Sequence, residues 1–232
     1  MQLFHANDIE GDIATIRDQE ARHLSVVLRK KVGESVHFTN GKGTAYNGII
    51  TDINKKKVLI SIEQSIEYQP TSVLHLAIAP TKNSNRMEWL IEKACEIGLA
   101  EFTPLRCHRS ERKVVKLGKL EKKAHSACLQ SLKYSFPKMN EVIKFDQFLA
   151  TVQADLKFIA FCGEDNLPML SQNLVANKSV CILIGPEGDF SPAEFEMAKA
   201  KGFKGISFGK TRLRTETAGL MACAIAQQAN EV

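Results

Sequence analysis

The sequence has no cysteine pair spaced closely enough for a metal or redox motif. Its six cysteines are Cys95, Cys107, Cys128, Cys162, Cys181 and Cys223. None of these spacings is a C-x-x-C or a zinc knuckle, which excludes the common cysteine-based zinc sites. Cys162 and Cys181 lie in apolar runs and are predicted to be small core residues. We therefore expect a reduced, cytoplasmic protein without a structural metal.

Long apolar segments are missing as well. No run approaches the roughly 20 residues that a membrane-spanning helix needs, and the N-terminal MQLFHANDIEGD lacks the apolar centre of a secretion signal. Neither internal repeats nor low-complexity segments are present. Hydrophobic residues make up 44% and charged residues 25% of the 232 residues. This length and composition predict one globular domain with a smaller module.

Excess positive charge is confined to the middle of the chain. The whole sequence has 31 basic and 26 acidic residues, a net charge of +5. Residues 82–144 contain fourteen basic and seven acidic residues, whereas residues 1–70 contain nine of each and 145–232 contain eight and ten. A basic segment within a near-neutral protein indicates a polyanionic partner. The alternative is a lysine-rich helix face in contact with solvent.

The first 70 residues are predicted to form a small barrel-like β module. β-branched runs separated by polar turns predict strands over 34–39, 44–53 and 57–64. One short helix is expected over residues 18–29. Pro70 and the change of pattern after it predict a boundary at residues 68–71.

From Ser72 onwards, predicted strands alternate with helices, which is typical of a parallel α/β sheet. Apolar runs predict strands over 73–80, 101–107, 158–162, 180–185 and 205–209. Helical periodicity predicts helices over 84–98, 116–133, 191–202 and 215–229. Ser84 is a candidate N-cap, and Ser191 with Glu194 forms a predicted capping box around Pro192.

The stretch ISFGKTRLRTETAG, residues 206–219, contains a Gly-Lys-Thr but does not fit a phosphate-binding loop. Such a loop needs four residues between its first glycine and the Gly-Lys-Thr. Lys204 stands where that glycine belongs, and Arg212-Leu213-Arg214 intervenes before the helical pattern begins. A nucleoside-triphosphate site is therefore disfavoured.

Two strand-to-helix loops are the better candidates for a ligand site. Gly185-Pro186-Glu187-Gly188-Asp189 follows one apolar strand, and FGKTRLRTET, residues 208–217, follows another. In open α/β sheets, ligands bind beyond the carboxyl ends of the strands, and glycines let the main chain approach a ligand closely. Each loop taken alone is also compatible with an ordinary turn that leads into a capped helix.

Taken together, GPEGDFS and FGKTRLRTETA resemble the IGPEGGFS and LG-x-x-x-LRTETA signatures of the SPOUT methyltransferases. The chain is most similar to the bacterial ribosomal small-subunit RNA (uracil-N3)-methyltransferase family. RHLSVVLR (22–29) and RMEWLIEKACEIGLAEFTPL (86–105) match further motifs of that family. The chain departs from the family pattern at Asp189, where glycine is usual, and at Leu129 and Lys133, where glutamate and arginine are expected.

The resemblance implies two domains, a cofactor and a partner. Residues 1–70 are expected to be a PUA-like RNA-binding β-barrel, and residues 71–232 a SPOUT domain with a parallel sheet and a deep trefoil knot. S-adenosylmethionine is the expected methyl donor. The expected substrate is small-subunit (16S) ribosomal RNA or the 30S particle. A cytoplasmic homodimer is expected, formed through the C-terminal domain.

The resemblance also implies site residues. Ile184, Gly185, Glu187 and Gly188 are expected to line one wall of the cofactor pocket. The opposite wall is assigned to Phe208, Gly209, Leu213, Arg214 and Thr215, and a third to Cys162. Arg214 and Glu216 are the catalytic candidates. The RNA-binding candidates are Arg22, His23, Arg29, Lys30, Lys31, Lys82 and Arg86.

Several alternatives stay open at the level of sequence. The substrate could be transfer RNA or another ribosomal RNA, or the protein could bind RNA after losing catalysis. Arg214 and Glu216 could form a structural ion pair, and the last helix could serve core packing alone. No histidine has a pattern that marks it as the general base.

Overall fold

The structure, a computed structural model, describes residues 2–68 and 74–230. It divides into two compact units. The first comprises residues 2–68 with 125–136, and the second comprises 74–124 with 137–230. The predicted boundary after Tyr68 lies outside the described residues.

The first unit is built on a six-stranded sheet in the order β1-β4-β5-β6-β3-β2. The strands are Leu3–His5 (β1), Asp8–Glu10 (β2), Ile13–Arg17 (β3), Ser35–Thr39 (β4), Thr44–Ile53 (β5) and Lys57–Glu67 (β6). β1 and β4 pair in parallel, and the other pairs are antiparallel. Alternation along the strands buries Phe38, Ile50 and Ile60 in one core. The three predicted strands are confirmed.

The helix predicted over residues 18–29 is shorter and changes type. An α-helix, Asp18–Arg22 (α1), passes into a π-helical turn, His23–Val27. Ala21 and Leu24 are buried and anchor the segment, whereas Val27 is 66% exposed. β-branched residues lose side-chain freedom in an α-helix, and π turns occur often at functional sites.

The second unit is built on a parallel sheet, which confirms the predicted α/β architecture. Its order is β10-β8-β7-β12-β11-β13, with β9 pairing beside β8. The strands are Leu74–Ile78 (β7), Glu101–Arg106 (β8), Lys138–Met139 (β9), Ile143–Lys144 (β10), Leu156–Ala160 (β11), Val180–Ile184 (β12) and Lys204–Ile206 (β13). Every residue of β12 is buried, as expected for a central strand covered on both faces.

Five α-helices and a short 3-10 helix, Leu170–Gln172, follow β7 within the described residues. The α-helices are Ser84–Ile97 (α2), Leu117–Gln130 (α3), Phe145–Thr151 (α4), Pro192–Ala200 (α5) and Thr215–Asn230 (α6). The capping box of Ser191 and Glu194 is confirmed. The predicted N-cap of α2 is wrong by one residue, because Asn83 accepts the hydrogen bond from the main-chain N–H of Asn85. None of the described helices is long and apolar enough to cross a membrane.

Helices α2 and α6 pack against one another. Gly219 of α6 allows this approach, because a Cβ atom there would lie 3.0 Å from Ile78 and 3.2 Å from Leu90. The lysine-rich α3 is tied to α2 by ion pairs of Lys119 with Glu88 and Lys123 with Glu92. Part of the positive charge of the middle segment is thus neutralised within the second unit.

Candidate cofactor site

The loops that leave β7, β8, β11, β12 and β13 emerge at one edge of the parallel sheet. Because these strands all pair in parallel, their carboxyl ends share that edge. The loop after β12, residues 185–191, contains Gly-Pro-Glu-Gly-Asp and runs into α5. The loop after β13, residues 207–214, contains the Arg-Leu-Arg and runs into α6. Both predicted pocket walls therefore come to the same edge.

The loop after β12 begins with a tight turn. Gly185 is buried, and a Cβ atom there would lie 3.0 Å from the main-chain nitrogen of Phe190. The N–H of Asp189 donates to the carbonyl of Pro186 at 2.9 Å, which closes the turn. Only glycine fits the first position without moving the main chain.

Side chains tie this loop to the loops after β7 and β8. The Glu187 carboxylate accepts a hydrogen bond from the main-chain N–H of Lys82 at 3.0 Å. Arg109 donates to the carbonyl of Gly188 at 2.7 Å. The buried carboxylate of Glu194 accepts from the N–H of His108 at 2.7 Å. Glu187, predicted to line the pocket, thus also holds two loops together.

Asp189 ties the same loop to the one after β11. Its Oδ2 accepts from the N–H of Cys162 at 2.9 Å, and its Oδ1 accepts from the N–H of Phe190 at 2.8 Å. Cys162 is exposed, so the prediction that it is a core residue is wrong, whereas Cys181 is buried as predicted. The neighbouring loops still remove part of the water around the Cys162 thiol, and this partial desolvation raises its pKa; the Asp189 carboxylate raises that pKa further, and Arg212 lowers it in part. Charges from the loops after β12 and β13 both act on this thiol.

The loop after β13 combines an unusual glycine with a half-buried leucine. Gly209 has φ 109°, in the left-handed region, and no atom lies within 4 Å of the place where a Cβ would stand. Phe208 and Leu213 are half-buried, Arg214 is exposed, and Thr215 is buried where α6 begins. The loop therefore offers open main chain beside apolar side chains.

Glu216 pairs with Arg86 and not with Arg214, which the sequence suggested as its partner. Its carboxylate is buried, and Oε1 lies 3.5 Å from Nε of Arg86. Its other oxygen, Oε2, has no hydrogen-bond partner among the described residues. A cavity of about 520 Å³ opens here. Its lining residues are Asn85, Arg86, Trp89, Arg214, Glu216 and Thr217.

A second cavity, of about 380 Å³, is also lined by Arg86. Lys82, Asn83, Glu111 and Glu187 complete its lining, and Lys82 forms an ion pair with Glu111 at 3.0 Å. Arg86 therefore lines both cavities and links the start of α2 to the start of α6.

The other RNA-binding candidates lie in the first unit, around α1 and the π-helical turn. Arg22, Arg29 and Lys31 are exposed, and His23 and Lys30 are half-exposed. Lys30 is 3.8 Å from the carboxylate of Glu34, and the ring of His23 packs edge-on against Phe4. In the described part of the chain, no group of three or more His, Cys, Asp or Glu side chains could hold a metal ion.

Comparison with known proteins identifies the family. The model of an RNA methyltransferase domain matches residues 67–227, and that of an RNA methyltransferase PUA domain matches residues 16–63. Ribosomal RNA small subunit methyltransferase E of Mesomycoplasma hyopneumoniae is 34% identical over 183 residues, which cover 74% of this chain and 76% of that protein. The chain belongs to the ribosomal RNA small subunit methyltransferase E family.

This member of the methyltransferase E family is similar to solved structures over 98% or more of its length. A crystal structure from Porphyromonas gingivalis, described as a probable rRNA-methyltransferase, is 39% identical, with a TM-score of 0.92 and coverage of 100% of this chain and 99% of that one. A methyltransferase structure from Legionella pneumophila, in complex with the bound cofactor S-adenosylmethionine, is 28% identical, with a TM-score of 0.86 and coverage of 98% and 97%. The predicted SPOUT and PUA-like folds are confirmed.

Sequence reasoning missed three features of this methyltransferase E family member. Arg109 had no motif to mark it, because its partner, the Gly188 carbonyl, is distant in sequence. The exposed Trp89, the only tryptophan in the chain, lies on α2 beside the cavity. Asp189 was noted as a departure from the family motif, but its bond to Cys162 depends on how two loops fold.

Proposed function

We propose that this protein transfers a methyl group from S-adenosylmethionine to N3 of a specific uridine in the 16S RNA of the small ribosomal subunit. The observation that carries the proposal is the meeting of the Gly-Pro-Glu-Gly-Asp and Arg-Leu-Arg-Thr-Glu-Thr loops at one sheet edge, in a chain of this family. The position N3 rests on the resemblance of these motifs.

The residues at this edge fit the proposed cofactor. An adenosine group needs a narrow, partly apolar slot with main-chain hydrogen-bonding groups. On one side Gly188 is exposed and leaves its main chain accessible, and the buried Gly185 makes the tight turn that holds it there. On the other side Phe208, Gly209 and Leu213 provide apolar surface and open main chain. The remaining lining residues that we assign are Cys162, Ile184, Glu187, Arg214 and Thr215.

When bound, S-adenosylmethionine supplies an activated methyl group, so the protein must position the base and favour loss of its N3 proton. We assign stabilisation of the developing negative charge on the uracil to Arg214, which is exposed and lines the cavity. Glu216 offers a buried oxygen without a partner among the described residues, suited to accept the N3 proton that the methyl group replaces. Arg86 holds this carboxylate in place.

The proposal assigns RNA-binding residues to both domains. Residues 1–70 would bind RNA through Arg22, His23, Arg29, Lys30 and Lys31, and residues 71–232 would bind it through Lys82 and Arg86. These groups would contact phosphates and position the RNA rather than read its sequence. A trefoil knot is supported by the order β7-β12-β11-β13, in which β12 lies between two strands that precede it in the chain. A cytoplasmic homodimer is also part of the proposal.

The test is methyl transfer to defined RNA substrates. Small subunits from cells lacking this protein are incubated with the purified chain and tritiated S-adenosylmethionine, and the modified nucleotide is mapped by mass spectrometry. We expect one N3-methyluridine in 16S RNA and no label in large subunits or transfer RNA. Label in transfer RNA or large-subunit RNA would reassign the substrate. Binding to small subunits without any label would identify a protein that has lost catalysis.

A further inference from the structure

Asp189 stands where the related motif has glycine, and the backbone explains why this change is tolerated. Its φ is 64°, in the left-handed region. Glycine adopts this conformation freely, and aspartate is among the few other residues that enter it readily. The substitution therefore keeps the turn while adding a carboxylate at a sheet edge where the loops meet.

The added carboxylate bridges two loops that are far apart in sequence. Oδ2 accepts from the N–H of Cys162, at 2.9 Å, in the loop after β11. Oδ1 accepts from the N–H of Phe190, at 2.8 Å, within the loop after β12. A carboxylate that accepts main-chain hydrogen bonds makes stronger bonds than a neutral acceptor.

No second hydrogen bond joins these two loops within the described residues. Glu187 and Arg109 hold the loop after β12 on its other side, towards β7 and β8. The loop after β11 carries four further residues without regular structure, from Gly163 to Asn166, and all are exposed. A glycine at position 189 would remove the side-chain hydrogen bond that joins the loops after β11 and β12.

We propose that Asp189 is a positioning residue that fixes the loop after β11 against the loop after β12 and so preforms that side of the cofactor pocket. The effect of Asp189 on S-adenosylmethionine binding rests on the proposed function. The hydrogen bond by which Asp189 joins the two loops does not depend on it. A site held in its bound shape before the ligand arrives binds more tightly, because less ordering is needed on binding.

The experiment compares Asp189→Gly, Asp189→Asn and the control Asp165→Asn in the full chain. Asp189→Gly keeps the left-handed turn and removes the tie, whereas Asp189→Asn keeps one acceptor oxygen. Asp165 is an exposed residue of the same loop after β11, so its variant removes one negative charge and leaves the tie. Calorimetry gives Kd for S-adenosylmethionine, and steady-state kinetics separate KM from kcat.

We expect Asp189→Gly to weaken S-adenosylmethionine binding about tenfold, the size of one charge-assisted hydrogen bond. The loss should appear in KM for the cofactor rather than in kcat at saturation. Asp189→Asn should fall between Asp189→Gly and the unchanged chain, and Asp165→Asn should match the unchanged chain. Unchanged Kd in Asp189→Gly, or an equal loss in Asp165→Asn, would overturn the proposal.

Amide hydrogen exchange of the unliganded chain tests the tie without any cofactor. In Asp189→Gly the Cys162 N–H loses its acceptor, so peptides covering residues 158–166 should exchange faster, while peptides from α2 should not change. Unaltered exchange at Cys162 would refute the tie. If the Cys162 N–H exchanges faster in Asp189→Gly but the protein binds no S-adenosylmethionine, the proposed function is refuted and the hydrogen bond between the two loops is confirmed.

Discussion

Two arginines line the cavity beside Glu216, and their surroundings differ. Arg86 lies 3.5 Å from the buried Glu216 carboxylate, which needs a nearby cation because an unpaired buried charge is costly. Arg214 is exposed and forms no ion pair with any residue in the part of the chain that the structure describes. Its guanidinium is therefore available to a substrate. Arg86 is thus the positioning arginine, and Arg214 is the catalytic candidate.

This difference leads to a prediction for Arg214→Ala. Removing a preorganised donor for developing negative charge should lower kcat/KM for small subunits by about 100-fold or more. Arg214→Lys should restore little, because lysine lacks the planar fork of donors. Lys210→Ala, in the same loop, should leave kcat/KM largely unchanged, because Lys210 is exposed and lines neither cavity. Normal methyl transfer by Arg214→Ala would remove Arg214 from catalysis.

Cys162 provides a reporter for the cofactor pocket. All six cysteines lie in the described part of the chain, and the other five are buried, so an alkylating reagent should modify Cys162 selectively. Because partial desolvation and Asp189 raise the pKa of its thiol, alkylation should be slow near neutral pH and should accelerate as the pH rises into the alkaline range.

Saturating S-adenosylmethionine should slow this alkylation by covering the thiol, whereas ATP should not. The rate is followed by mass spectrometry, with Cys162→Ser as the control that leaves only slow background labelling of buried thiols. Equal rates with and without S-adenosylmethionine would place Cys162 outside the pocket.

At the scale of elements, the packing of α6 against β7 and α2 depends on Gly219. A methyl group there would press on the fully buried Ile78 and Leu90. Overpacking of a core costs about 1–3 kcal/mol, which exceeds the gain of about 1 kcal/mol that alanine brings to a helix interior. Gly219→Ala should therefore lower the free energy of unfolding, measured in urea.

Gly118 of α3 supplies the matched control. No atom lies within 4 Å of the position that its Cβ would take. Gly118→Ala should therefore raise the free energy of unfolding by up to about 1 kcal/mol, through helix propensity and a less flexible unfolded chain. A Gly219→Ala protein as stable as Gly118→Ala would show that α6 has room to move.

Elements with a strong local pattern could be predicted from sequence, and those that depend on distant partners could not. β5, β12 and α5 follow directly from β-branched or apolar runs and from a capping box. β1 and β2 have three residues each, too few to show alternation, and their pairing defines them.

Within the site, Gly185 and Arg214 carried motif signals, whereas Arg109 and the Glu216–Arg86 pair depend on loops and helices that only folding brings together.

At the scale of the whole molecule, the proposed dimer needs a surface on the C-terminal domain. Trp89 on α2 is 43% exposed and Met221 on α6 is 39% exposed, and these two helices pack together. These two exposed apolar side chains are therefore the candidates on α2 and α6 for a surface that a second copy covers. The sequence left open whether the last helix serves core packing alone or also the expected dimer. Met221 lies outside that core.

Met221→Lys should therefore weaken self-association, since a buried charge without a partner disfavours an apolar interface. Sedimentation should show a dimer for the unchanged chain and a shift towards monomer for this variant. Met197→Lys is the control, because Met197 on α5 is 42% exposed and should tolerate the same charge without a change in mass. A chain that sediments as a monomer before mutation would refute the proposed dimer. A dimer that survives Met221→Lys would move the interface away from α6. Loss of methyl transfer together with dimerisation would show that the site needs both copies.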